Sequence, residues 1–176
     1  MKKILLLLFF VPLCAFAEEP LLSHIVSPRG ETNPLTDNKN TVETFYSAMV
    51  DNDQKTMSKL LAPNYQVQDS NVVFDSSFNK YDAFSKNINV RMTHLQEAFP
   101  KFEAHVSSMI AEGNKVFARI QISGVQRGSF LGVEPTNKPV IIKIFTIFTF
   151  EGGKITHINE VWNELGVMKQ LGYIVL

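Results

Sequence analysis

The predicted last strand, with the sequence ITHINEVWN (155–163), carries the ionisable side chains best suited to proton transfer. Alternate side chains of a β-strand point to the same face. If Ile158 and Trp162 point inward, Glu160 lies between them, where burial makes a carboxylate a useful acid or base. With the opposite parity, His157 points inward instead. Of the two parities we favour the one that points Glu160 inward, because Trp162 is the bulkier residue to bury, and Glu160 is then the catalytic candidate. A solvated Glu160 on an outer sheet face is the default interpretation and ranks above catalysis.

Two other strand-like runs place single neutral polar groups on apolar faces. In VIIKIFTIFTF (140–150) the apolar face is interrupted by Thr146, and in VFARIQISGVQ (116–126) the apolar face ends at Gln126. Mostly apolar walls with a few hydrogen-bonding groups are typical of a ligand pocket. The alternative is a buried core in which these polar groups bond to the backbone.

Two helical residues are further candidates for lining such a pocket. Tyr46 lies on the apolar stripe of the first predicted helix, and its hydroxyl needs a hydrogen-bond partner that a pocket could supply. Its alternative role is in the core. His94 lies on the flank of a later predicted helix, where a surface or packing role competes with a place in the pocket.

Composition argues against several other functions. The four histidines form no helical i,i+4 pair and Cys14 is the only cysteine, so we expect no metal site and no cofactor. Lysine plus arginine equals aspartate plus glutamate at 17 each, which gives no electrostatic signal for nucleic acid. The histidines are at positions 24, 94, 105 and 157.

The first 17 residues have the pattern of a secretory signal peptide, with two lysines, an apolar run and a small-x-small site before Glu18. We therefore expect export to the periplasm or the medium, with no membrane association after cleavage. A lipid anchor at Cys14 is the less favoured alternative, because Leu13 is bulky where lipoprotein processing requires a small residue. Residues 18–37 contain three prolines without periodicity and are interpreted as a flexible arm.

The remainder, residues 38–176, is predicted to form one α+β domain. One helix is expected from Asn38, a second from an Asp53 cap, and a third from an Asn79 cap to Phe99. A short strand at 64–69 is expected between the second and third helices. Four long strands and a short terminal helix follow. Glycines in EGNK and EGGK predict two hairpins. The four strands are predicted at 102–112, 115–126, 139–150 and 154–162.

The segment GSFLGVEPTNKPVIIKIFTIFTFEGGKITHINEVWNELGVMKQLG (128–172) resembles the SnoaL-like polyketide cyclases, and the resemblance extends over residues 40–172. It implies a cone-shaped, nuclear-transport-factor-like fold, in which N-terminal helices pack on a curved antiparallel sheet around a hydrophobic cavity. It also implies that the loop at 127–140 lies at the cavity mouth. Phe130 would then be shielded or face the ligand.

The resemblance also identifies three positions at which this chain has a neutral residue where the family often has an ionisable one. The acid/base aspartate of the family's cyclases falls at Thr146, and two positions that are often histidine fall at Gln68 and Gln126. Threonine and glutamine cannot exchange a proton near neutral pH. We therefore expect a pocket that binds a small apolar molecule bearing oxygen. The alternatives are an isomerase or cyclase that uses Glu160, and a homodimeric interaction module joined through the outer sheet face.

Overall fold

The computed structural model describes residues 33–69 and 87–174. Within these ranges it contains four helices and five strands. The predicted signal peptide and residues 18–32 of the predicted arm lie outside the described residues. The elements are α1 (Pro34–Val50), α2 (Gln54–Leu60), β1 (Leu61–Asp69), α3 (Ile88–Ala98), β2 (Glu103–Glu112), β3 (Lys115–Val125), β4 (Pro139–Glu151), β5 (Lys154–Trp162) and α4 (Glu164–Leu171).

The five strands form one sheet in the order β1-β5-β4-β3-β2. Strands β2 to β5 are joined to their neighbours by antiparallel pairing, as predicted, with hairpin turns at Gly113 and at Gly152-Gly153 where φ is positive. Strand β1 pairs with β5 in parallel, so the sheet is mixed. The α+β class predicted from the sequence is confirmed, and the predicted all-antiparallel pairing is corrected at this edge strand.

Each of the four helices begins at a side-chain cap. Asp53 caps α2 as predicted, because its carboxylate accepts the Thr56 amide at 2.9 Å. The first helix starts at Pro34, four residues before the predicted Asn38, because Asn33 caps it and proline suits the first helical turn. The predicted cap at Asn79 lies outside the described residues.

Helix α3 starts later than predicted. Asn87 is its cap, with extended backbone and a side-chain oxygen that accepts the amides of Asn89 and Val90. A single helix from Asn79 to Phe99 is therefore wrong, although the described part ends close to the predicted position. The extended backbone of Asn87 breaks the predicted helix at that residue.

The sheet has one buried and one exposed face. On β4, Val140, Ile142, Thr146, Phe148 and Phe150 are buried, whereas the residues between them are more exposed, as period 2 predicted. Helix α1 packs against β2 and β3 over the buried face. Its Phe45 ring meets Phe148 edge to face, with ring centroids 5.4 Å apart.

No helix within residues 33–69 and 87–174 is long and apolar enough to cross a membrane.

Candidate functional site

A pocket opens between the buried sheet face and helices α1 and α3. The cavity between its walls has a volume of about 30 Å³, little more than the space of one water molecule, so the pocket is narrow. Eight of its eleven described lining residues are apolar, and the three polar ones are Tyr46, Arg91 and Glu160. The apolar lining residues are Phe45, Met49, Leu95, Ile122, Phe130, Ile142, Ile144 and Trp162.

Glu160 lies in this pocket because β5 has the parity that places Ile158 and Trp162 on the same face. Glu160 is only 8% exposed, while its neighbours Asn159 and Val161 are exposed. On the adjacent strand it lies directly opposite Thr146. Opposite residues in antiparallel strands have β-carbons about 5 Å apart. The Glu160 carboxylate on β5 therefore lies next to Thr146 on β4, the position at which the resemblance placed the aspartate of the cyclases.

Arg91 of α3 forms a buried ion pair with Glu160. One guanidinium nitrogen, Nη1, donates to Glu160 Oε1, and the Arg91 residue is 4% exposed. Burying either charge alone would be unfavourable by several kcal/mol, since each loses its hydration. The contact between the two charges therefore stabilises both of them in this apolar wall.

Helix α3 is fixed at several points, and this fixes Arg91. The Tyr65 hydroxyl on β1 accepts the Ile88 amide at 3.0 Å, and Gln96 Nε2 donates to the Val50 carbonyl at the end of α1 at 2.7 Å. At the other end, the Ala98 carbonyl accepts the Arg127 amide at 2.8 Å. These bonds hold the helix against three different elements, so the guanidinium meets the pocket in a defined position.

Tyr46 completes the polar part of the pocket. Its hydroxyl and Thr146 Oγ1 are 3.4 Å apart, within hydrogen-bonding range, and either oxygen can be the donor. Burial, and then the negative charge of Glu160, raise the pKa of Tyr46 above its usual range. The phenol therefore stays protonated at neutral pH and can donate a hydrogen bond.

The loop between β3 and β4 forms one side of the pocket mouth. Phe130 is buried, with its ring centroid 4.8 Å from that of Phe99 and 6.4 Å from that of Trp162. The amides and carbonyls of Phe130 and Val133 bond to each other around a two-residue turn with positive φ. The loop therefore shields Phe130 while presenting it to the pocket, as the resemblance implied.

Gln126 organises this loop from the inside. Its Oε1 accepts from the amide and the hydroxyl of Thr136, at 3.1 and 2.7 Å, and its Nε2 donates to the Glu134 carbonyl at 3.2 Å. The side chain is fully buried but does not line the pocket. The side-chain amide of Gln126 therefore bonds to the loop backbone. This is the predicted alternative to a place in the pocket.

Comparison with known proteins places this architecture in a family. A family model for SnoaL-like polyketide cyclases matches residues 40–171. The chain belongs to the SnoaL-like polyketide cyclase family. A search of the curated proteins found no match.

Solved structures of SnoaL-like and related proteins share the fold. AclR from Streptomyces galilaeus, a candidate hydroxylase, is 22% identical with a TM-score of 0.66, covering 81% of this chain and 89% of its own. A candidate SnoaL-like polyketide cyclase from Jannaschia sp. CCS1 is 22% identical, with a TM-score of 0.65 and coverage of 82% and 99%. An LEH-like epoxide hydrolase from M. tuberculosis is 17% identical, with a TM-score of 0.57 and coverage of 79% and 92%.

Besides Gln126, which is buried outside the pocket lining, two residues predicted to line the pocket of this SnoaL-like protein are exposed. Gln68 is exposed and pairs with Asn159 on the outer face, because Val67, its neighbour, pairs with the buried Ile158. His94 is also exposed, with Nδ1 3.6 Å from Glu97 Oε2 on the same helix. Both placements are corrections. The alternation of Tyr65 and Val67 against the glutamines already indicated the outer face for Gln68.

The structure brings four of the predicted residues together around the pocket: Tyr46, Phe130, Glu160 and Trp162. Thr146 is buried next to them through its contact with Tyr46. His157 is half-buried outside the pocket lining, and its Nδ1 is 3.1 Å from Thr156 Oγ1.

Sequence reasoning missed Arg91. A signal was present, since Arg91 falls three residues after Ile88 and four before Leu95, on the apolar stripe of α3. A charged residue on the buried stripe of a helix needs a partner or a function.

Proposed function

We propose that this SnoaL-like domain binds a small, mainly apolar molecule that carries an oxygen atom. The observation that supports this most is the grouping of Tyr46, Arg91 and Glu160 within otherwise apolar pocket walls. Apolar contact would provide the affinity, and these groups would orient the ligand's oxygen.

The strand register gives the pocket a polar and an apolar end. Thr146 and Glu160 form one row across β4 and β5, and Ile144 and Trp162 form the next. Ile142 lies two residues further along β4. We therefore expect the ligand's oxygen at the first row and its apolar body towards the following rows. Because the pocket is narrow, we expect binding to shift the Trp162 or Phe130 ring.

Trp162 makes this proposal testable, since it is the chain's only tryptophan and lines the pocket. Titration with cyclohexyl methyl ketone should change the Trp162 fluorescence in a saturable manner. Ile144→Phe, which fills the pocket, should weaken binding at least ~10-fold, or about 1.4 kcal/mol. Ile147→Phe on the exposed face of the same strand is the matched control and should bind as the wild type does. An equal effect of both variants would contradict the proposal.

A second candidate function is acid–base chemistry by Glu160 on such a ligand. The observation that favours it is the position of Glu160, directly across the strand pair from Thr146. Glu160 would remove a proton from the carbon next to a carbonyl, and the electron pair of the broken C–H bond would move onto the oxygen as an enolate. Arg91 would balance the negative charge before and after this step, because the charge only moves from Glu160 to the ligand.

This chemistry can be tested without knowing the natural substrate. In D₂O, the wild type should accelerate exchange of the α-hydrogens of cyclohexyl methyl ketone, followed by NMR. Glu160→Gln should lose about 10²–10⁴-fold of that acceleration, the usual contribution of a general acid or base. Glu97→Gln, an exposed carboxylate on α3, is the control. Exchange at the wild-type rate in Glu160→Gln would refute catalysis while leaving the binding proposal intact.

We also propose that the protein forms a homodimer through an outer patch on its sheet. This outer patch consists of five neighbouring apolar residues on β2 to β5, of which Ile110 is the most exposed at 67%. Single exposed apolar residues are ordinary, but a contiguous group is typical of an interface. The members of the outer patch are Ile110, Phe117, Phe145, Ile147 and Val161.

Export is a further proposal, supported by the signal-like residues 1–17. Expression of the full chain in a bacterium, followed by N-terminal sequencing of the protein recovered outside the cytoplasm, should give a chain beginning at Glu18. A chain that remains in the cytoplasm with its first residues intact would refute export.

A further inference from the structure

The hydroxyl groups of Tyr46 and Thr146 form a buried pair beside the pocket. Tyr46 is 4% exposed and Thr146 is fully buried, so both hydroxyl groups need hydrogen-bond partners other than bulk water. The Tyr46 ring meets the rings of Phe45 and Phe148 edge to face, with centroids 5.2 and 6.1 Å away. These contacts hold the ring, so its hydroxyl group stays next to β4.

This pair has one more hydrogen to donate than its own contact can use. Each hydroxyl group has one hydrogen and two lone pairs. The contact between the two oxygens, 3.4 Å apart, uses one of the two hydrogens. Within residues 33–69 and 87–174 neither hydroxyl group has another hydrogen-bond partner. One buried O–H is therefore left to donate to a group that enters the pocket.

The direction of the bond decides which hydrogen this is. Tyr46 lines the pocket, whereas Thr146 is buried behind it in the sheet. When Thr146 donates to Tyr46, the hydrogen of the phenol can point into the pocket. When Tyr46 donates, the remaining hydrogen is that of Thr146, which a ligand does not reach. An oxygen atom in the pocket therefore favours donation from Thr146 to Tyr46.

We infer that the Tyr46 hydroxyl donates the hydrogen bond that recognises the ligand's oxygen, and that Thr146 is a positioning residue that acts through Tyr46. This inference rests on the proposed binding of a small oxygen-bearing molecule and adds the group that selects it. The ligand's oxygen must then be a hydrogen-bond acceptor, as in a ketone, an ester or an ether.

The distance within the pair suits this exchange of partners. Hydrogen bonds between hydroxyl groups are usually about 2.7–2.8 Å long, so the bond between Tyr46 and Thr146 at 3.4 Å is weak. The phenol therefore loses little when its hydrogen turns towards a ligand. Burial and the negative charge of Glu160 raise the pKa of Tyr46, so the phenol donates a hydrogen bond without giving up its proton.

Two probes of nearly the same shape test the inference. They are cyclohexyl methyl ketone and isopropenylcyclohexane, in which a CH₂ group replaces the carbonyl oxygen, and both are titrated with Trp162 fluorescence as the signal. Tyr46→Phe should weaken ketone binding at least ~10-fold, or about 1.4 kcal/mol, because the buried carbonyl loses its donor. Alkene binding should change less than ~2-fold. Comparing each probe between wild type and variant removes the difference in hydration between the probes.

The role of Thr146 is tested by two substitutions. Thr146→Val keeps the shape but removes the hydroxyl group, so it should weaken ketone binding about 2–4-fold and leave alkene binding unchanged. Thr146→Ser keeps the hydroxyl group and should bind the ketone as the wild type does. Adding Thr146→Val to Tyr46→Phe should cause no further loss, because Thr146 acts through Tyr46. Thr149→Val, on the opposite face of β4, is the matched control and should keep wild-type binding.

Infrared spectra of the bound, isotopically labelled ketone report the hydrogen bond itself. Its carbonyl stretch should lie at lower frequency in the wild type than in cyclohexane, and Tyr46→Phe should raise it towards the cyclohexane value. If Tyr46→Phe does not fold, Thr146→Val should still raise the frequency part of the way.

Three results would overturn the inference and leave the binding proposal standing. They are equal weakening of both probes in Tyr46→Phe, a wild-type carbonyl frequency equal to that in cyclohexane, and a frequency that the folded variants leave unchanged. If neither probe binds any form of the protein, the proposed function itself fails, and the inference with it.

Discussion

The buried pair of Arg91 and Glu160 should show strong coupling in a double-mutant cycle. Glu160→Leu removes the carboxylate that the guanidinium contacts, and Arg91→Met removes the guanidinium that the carboxylate contacts. Both residues are at most 8% exposed, so each single substitution should lower the free energy of unfolding by about 3–5 kcal/mol. That is a large part of the ~5–15 kcal/mol typical of a domain.

The double variant should behave differently. Leucine and methionine together remove both charges of this pair, and replacing a buried ion pair with apolar residues of similar volume is neutral or stabilising by about 1–4 kcal/mol. The combined variant should therefore be at least as stable as the wild type to within ~1 kcal/mol. The two single effects would then fail to add by several kcal/mol.

Urea denaturation measures this cycle, with Trp162 fluorescence and far-UV circular dichroism as parallel probes and the m-value checked for constancy. Glu97→Gln is the control, because Glu97 pairs with His94 on the exposed side of the same helix and should contribute less than ~1 kcal/mol. Single substitutions that each cost less than ~1 kcal/mol, or effects that add, would refute a buried and mutually dependent pair.

Four other outcomes are expected. Tyr46 should ionise only above the usual pH range of a tyrosine, as measured by ultraviolet difference spectra. Because the pKa of Tyr46 is raised in the folded state, its contribution to stability is complete below pH ~10 and is lost as the pH rises further. Tyr46→Phe should remove this loss of stability. Gln126→Ala should cost about 2–3 kcal/mol in urea melts and speed proteolysis of the 127–138 loop, since the Thr136 amide loses its buried acceptor; unchanged proteolysis would contradict this role. Gly128→Ala should cost more than ~2 kcal/mol, because a β-carbon there would lie 2.2 Å from the Glu97 carbonyl oxygen, and a wild-type melting curve would contradict the close approach. Phe145→Glu should yield monomers in sedimentation velocity, with Lys143→Glu as the control on the same face, and a monomeric wild type would remove the dimer proposal.

Much of the fold could be predicted because period 2 and turn chemistry act locally. The buried face of β4 and the hairpin turns at glycines could be predicted from such short-range rules. The inward direction of the Glu160 side chain could also be predicted, because the large Trp162 two residues later favours burial of the same face. The parallel placement of β1 could not be predicted in this way. It depends on pairing with β5, nearly 100 residues later in the chain.

The candidate site was predicted only in part, for the same reason. Glu160 was identified from its own strand, but its charge balance comes from Arg91, 69 residues earlier. Gln126 was expected to point inward and is buried, yet it lies just after β3 and bonds to the following loop, which no pattern within the strand reveals. Gln68 was placed by alignment with a family position against its own strand's alternation, and the alternation proved the better guide.

The central claim is that a small apolar molecule binds with its oxygen at the Tyr46, Arg91 and Glu160 end of the pocket. Chemical-shift mapping of the isotopically labelled protein during titration with cyclohexyl methyl ketone tests it most directly. We predict that the saturable shifts concentrate at these three residues and at Trp162, while the outer patch, represented by Phe145, stays unchanged. Shifts confined to the outer patch, or no saturable shift up to the solubility of the ketone, would contradict the claim.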